Sequence, residues 1–85
     1  MNLYLLSQNT NDGWDTYDSC VVVAKNENSA KLIHPHCYIV GGSSEEHWQS
    51  STWCNSPKDV NVEYLGVAKE GSMENTVVCS SFNAG

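Results

Sequence analysis

An irregular stretch of 24 residues, His34 to Pro57 (HPHCYIVGGSSEEHWQSSTWCNSP), separates two β-patterned halves of an 85-residue chain. Irregular segments of this length are uncommon in compact domains unless they are functional or disordered. The stretch also holds five of the chain's seven Cys and His residues: His34, His36, Cys37, His47 and Cys54. An even spread would place about two there. Either a metal pins this insert, or it is a binding surface, or both.

The flanking halves read as strands. In Asn2 to Gln8, Leu3 and Leu5 fall on one face and Tyr4 and Leu6 on the other, so both faces carry apolar surface. The turn formers NTNDG at residues 9–13 open a loop that runs on through Trp14, Asp15, Thr16 and Tyr17. Asp18 to Lys25 is rich in β-branched residues, with Cys20, Val22 and Ala24 on one face and Cys20 expected as a small buried hydrophobe. Asn26 suits a helix N-cap, with Glu27 in the first turn. Ala30 and Ile33 would lie on the sheet, and Pro35 ends the helix.

Beyond the insert, Val60, Val62 and Tyr64 alternate with polar residues in a third strand, Val60 to Ala68, where Gly66 marks a bulge or close packing. A polar turn, KEGSMEN, leads to a fourth strand, Thr76 to Phe82, with Val77 and Cys79 expected on one face and Val78 and Phe82 on the other. The order β-β-α-long loop-β-β predicts an α+β fold. One short helix would pack on one face of a four-stranded antiparallel sheet, in a single domain over residues 1–85 with its insert at 34–57.

So short a chain buries only about 60–65 % of its unfolded surface, so the core is thin. A hydrophobic content of 40 % with three Trp still argues for a folded globule. Four Lys, no Arg and a net charge of −6 argue against direct nucleic-acid binding, which needs clustered cations. An acidic surface favours basic partners, including proteins that themselves hold nucleic acid; its simpler role is solubility. The start, MNLYLLSQNT, lacks a signal peptide's basic lead, and no segment approaches a bilayer span. A cytoplasmic protein is expected, in which Cys residues serve as thiols or metal ligands rather than disulfides.

Zinc is the sharpest chemical candidate. His34 and Cys37 are spaced so that one turn could present both to an ion, and His47 and Cys54 would complete a closed, structural His/Cys site, with His36 in reserve. The spacing H-x-H-C-x9-H-x6-C matches no standard zinc finger, and surface His with incidental thiols is the alternative. A thiol enzyme would use Cys37 or Cys54 with His34 or His47 as base, yet no oxyanion turn or orienting third group is recognisable. Trp14 and Asp15 form an acidic-aromatic loop, and Trp48 and Trp53 stand near Glu45 and Glu46. These six are the candidate partner-binding residues, although for Trp48 and Trp53 core plugs beneath the insert are the first reading and partner contact the alternative.

The segments WDTYDSCVVVAKNENSAKLIHP, STWCNSPKDVNVEYLGVA and VVCSSFNAG resemble the pattern of a family of small proteins of bacteriophages and mobile elements, mostly without established activity. The small, acidic make-up is also similar to that of anti-CRISPR proteins, including inhibitors of type II effector nucleases. The family pattern matches His34, Pro35, Trp53 and Cys54, whereas His36, Cys37 and His47 fall in its variable part. The resemblance implies a non-enzymatic phage protein that binds and inhibits a host defence protein, such as a CRISPR effector nuclease, by blocking nucleic-acid loading. The alternative is a zinc-stabilised structural or regulatory phage protein with no defence target.

Overall fold

A computed structural model gives the fold for residues 1–11, 13–35, 52–54 and 56–83. The expected α+β arrangement is present: strands β1 (Asn2–Ser7) and β2 (Thr16–Ala24), helix α1 (Glu27–Lys31), and strands β3 (Asn61–Val67) and β4 (Thr76–Asn83). A single 3-10 turn, Pro57–Asp59, precedes β3; its Ser56 hydroxyl accepts from the Lys58 N–H. No helix among the described residues is long and apolar enough to cross a membrane.

The sheet is antiparallel throughout, in the order β3-β1-β2-β4. β1 and β2 form its central hairpin, running from Asn2 opposite Ala24 to Ser7 opposite Ser19. Residues directly opposite share a face, which places Tyr4, Leu6, Cys20 and Val22 together, joined by Val62 from β3 and Val77 from β4. That face is the core side: Tyr4, Leu6, Cys20, Val22 and Ala24 are all buried there, with Ala30, Ile33, Trp53, Cys54 and Val60 packed in the same cluster. Leu3, Leu5 and Val21 on the opposite face are only half-buried.

α1 is too short to be stable alone. Its start is fixed by the Asn26 side chain, which accepts from the Ser29 N–H at 2.8 Å, with Glu27 in the first turn and Lys31 in the last complementing the helix dipole. Ala30 and, just past the helix, Ile33 are fully buried against the sheet. Packing of these two residues supplies the stability that its length cannot.

Three register shifts decide which side chains reach the core; one lies in β2–β4 between Tyr17 and Ser19, where Asp18 is the extra residue. The β1–β3 register shifts between Leu3 and Tyr4, next to Gly66, whose φ of +149° an L side chain rarely adopts. Of the two expectations for Gly66, a bulge or close packing, the bulge is present, and among the described residues nothing beyond its chain neighbours lies within 4 Å of where a Cβ would stand. The third shift is also in β2–β4, where Val22 pairs with Val77 but Val21 pairs with Cys79, leaving Val78 as the extra residue. This corrects the simple alternation: Val77 faces the core with Val22, whereas Cys79 lies on the opposite face with Val21.

Burial, reinforced by the nearby Cys79 thiol, pushes the Cys20 thiol up from 9.0 to about 12. Its neutral form is therefore favoured in the fold, so this contribution is complete below pH 9 and is lost as pH rises through about 12. Between those limits the expected slope is at most about 1.4 kcal/mol per pH unit from this group. Cys20→Ala is expected to lower stability at neutral pH through lost packing but to flatten the alkaline decline. Urea unfolding of both proteins at about pH 8 and about pH 10.5 checks this; an equal decline in both would assign the pH effect to other groups.

Candidate functional site

The connection between β1 and β2 is organised by one buried amide. The Gln8 side-chain oxygen accepts from the Asn11 N–H (2.9 Å), the Thr10 N–H (3.0 Å) and the Thr10 hydroxyl (3.3 Å). Its nitrogen donates to the Asn11 carbonyl (2.7 Å) and, across the loop, to the Tyr17 carbonyl (2.9 Å). Gln8 is therefore buried with its amide oxygen and nitrogen both engaged. It looked in the sequence like the polar end of a strand; only the return of the chain at Tyr17 discloses its role.

The loop is tied to two further segments. Asn11 donates from its side chain to the Trp53 carbonyl (3.0 Å), and the Tyr17 N–H donates to the Thr52 carbonyl (2.7 Å). On the other side the Asp15 N–H donates to the Asn83 carbonyl at 2.6 Å. Asp15 holds a left-handed backbone, φ +59°, which short polar residues tolerate better than most, and the Thr16 hydroxyl donates to the Gly13 carbonyl at 2.6 Å. Trp14 projects from this braced turn with 73 % of its surface exposed. Asp15, next to it in the turn, and Asp18, near the start of β2, are exposed as well.

Trp53 behaves differently. Expected among the partner-contact residues, it is fully buried in the core cluster and offers a partner no surface. Its indole is what closes the core beside the short helix. His34, also fully buried, meets it edge-on with ring centroids 6.3 Å apart. Cys54 is buried next to Trp53, and its Sγ donates to the Ser56 carbonyl at 3.5 Å. Burial is the main effect that pushes the Cys54 thiol up, so it is held protonated and is poorly suited to act as a nucleophile.

His34 and Cys54, two of the four expected metal ligands, thus both lie in the buried region around Trp53. Their donor types, imidazole and thiol, fit zinc. The other two, Cys37 and His47, and the reserve ligand His36 lie outside the described residues, as do the candidate contact residues Glu45, Glu46 and Trp48. Among the described residues no group of three or more His, Cys, Asp or Glu side chains is gathered as a metal site would require.

Gln8→Ala removes the amide that bonds the Tyr17 carbonyl and the Thr10 and Asn11 N–H groups, an expected loss of about 1–3 kcal/mol. Trp53→Ala is expected to cost about 3–5 kcal/mol. Denaturant unfolding measures both, and a loss for Trp53→Ala below that for Gln8→Ala would contradict the core role of the indole. Iodoacetamide followed by peptide mapping is expected to label exposed Cys79 quickly and buried Cys20 and Cys54 slowly; rapid native labelling at Cys54 would contradict its burial. No protein-family model matches the chain, and comparisons with curated proteins and with solved structures give no significant match.

Proposed function

We propose that this chain is a non-enzymatic phage protein that binds and inhibits a host defence protein, an RNA-guided effector nuclease, through the acidic-aromatic turn around Trp14. The observation that carries this reading is an indole 73 % exposed on a turn whose backbone is braced on both sides. An exposed Trp on a pre-ordered turn loses little freedom on docking, and buried aromatic anchors dominate interface energies. Exposed Asp15 and Asp18 follow it in the chain, and the net charge of −6 steers the protein towards basic surfaces. RNA-guided nucleases hold nucleic acid in a positively charged channel, where an acidic protein obstructs loading. The resemblance to small phage proteins supports the same reading.

The alternative, a zinc-stabilised structural or regulatory phage protein with no defence target, is favoured by the burial of both His34 and Cys54 around Trp53. Zinc bound there would supply folding free energy and draw the proton off the Cys54 thiol, which burial otherwise keeps protonated.

Co-purification with candidate effectors at low salt is expected to yield a complex that weakens as salt rises. Trp14→Ala should weaken it by about 2 kcal/mol or more, roughly 30-fold. Asp15→Lys with Asp18→Lys should act chiefly by slowing association. Full affinity in all these variants would remove the Trp14 turn as the contact, and absence of any complex at low salt would remove the inhibitor reading. Elemental analysis separates the zinc question: one zinc per chain is expected if the metal is structural, and a folded, metal-free wild type excludes it.

A further inference from the structure

We infer that β4 is a self-association edge, pairing antiparallel with β4 of a second copy of this chain to make one continuous sheet across a two-fold axis. Among the described residues β4 is an outer strand of the sheet, and every residue from Val78 to Asn83 is exposed. Val78 is 57 % and Phe82 44 % exposed. Its eight residues, TVVCSSFN, include no charge and no proline, the devices that ordinarily protect an edge. The opposite edge, β3, carries Glu63 and is bent by the bulge at Gly66. Both edges carry a bulge, but only β3 also carries a charge.

The free edge of β4 can be read from the hydrogen bonds. The Val23 carbonyl accepts from the Asn75 N–H, so Val23 turns its backbone groups towards β4, and alternation along β2 does the same for Val21 and Ser19. Their partners Cys79 and Ser81 therefore face inward, as does Asn83, whose carbonyl is bonded to Asp15. Ser80 and Phe82 are left presenting N–H and C=O groups to the open side. That is the pattern a further antiparallel strand needs.

A second copy is the occupant that fits. The chain carries a net charge of −6, so most self-contacts would set like charges together, but β4 against β4 brings no charged residue into register. An isologous pairing also closes after two copies, whereas β4 against β3 would continue as an open array and would meet Glu63 and the bulge. Val78 is the extra residue of the β2–β4 bulge, so the regular edge runs from Cys79 to Asn83, and an axis at Ser80 sets the two open Ser80 residues opposite one another. In that register the two Cys79 residues are diagonal neighbours within about 8 Å.

Sedimentation across a concentration series is expected to show a reversible dimer. A short bis-maleimide should cross-link it in a Cys37→Ser background, and Cys79→Ser should abolish the cross-link. Ser80→Pro removes an N–H that faces the open side and spares the ladder to β2, so it should give a folded monomer. Val78→Lys should do the same through charge, while Val67→Lys on β3 should leave the dimer intact. Circular dichroism establishes that each variant is folded. A wild type that is monomeric at every concentration overturns the inference, as does a dimer that survives both Ser80→Pro and Val78→Lys. Cross-linking that does not depend on Cys79 overturns it as well.

Discussion

A five-residue helix cannot cover the face of a four-stranded sheet, and in this molecule Trp53 fills the space it leaves. A buried Trp removes about 150–250 Å² from water, equivalent to roughly 4–6 kcal/mol of transfer free energy. Small domains are stable by only about 5–15 kcal/mol in total, so one side chain outside any helix or strand accounts for a large share of the driving force. The core residues of β1 and β2 require that cover: Tyr4, Leu6, Cys20 and Val22 lie in the same cluster as the indole.

The backbone that brings Trp53 in also shapes the surface. The carbonyls of Thr52 and Trp53 accept from Tyr17 and Asn11, so the segment that plugs the core also holds the β1–β2 connection in place. Gln8 completes that arrangement from inside, satisfying both strands of the turn with one amide. The exposed Trp14 and the buried Trp53 are therefore coupled through hydrogen bonds rather than through contact of their rings. A change that loosens the core segment loosens the turn that displays Trp14, which makes the precision of that surface a property of the interior.

The fold was legible wherever a period of two survived. Cys20, Val22 and Ala24 pointed inward as their alternation required, Asn26 capped α1, and the helix stopped short of Pro35. Gly66 announced its own bulge. The bulge at Val78 carried no such mark, and one inserted residue reverses the facing of those that follow, which is why Cys79 parted company with Val77. The candidate site was legible in part. Trp14 and Asp15 stood out as an acidic-aromatic loop, but the left-handed Asp15 depends on a partner far along the chain, Asn83, and the Gln8 amide on the return of the chain at Tyr17. Trp53 was open to both readings, core plug first, because an irregular segment has no repeat from which the direction of a side chain can be inferred.

The strand order also fixes an order of assembly. β1 and β2 are neighbours in sequence and form the middle of the sheet, while β3 and β4 attach to its outer sides only after the long central stretch has been passed. Ribosomal synthesis thus exposes a two-stranded ribbon, marginal by itself, well before the material that flanks it exists. β3 then joins β1, and β4 joins β2 through pairings that connect Thr16 with Asn83. Contacts of such long range are slow to form, and the outermost strand, with most of its surface in water, is the first to come away in partial opening. The nascent hairpin must therefore wait, unpaired on both sides, which makes the interval before β3 and β4 arrive the point at which this chain depends most on being shielded from other chains.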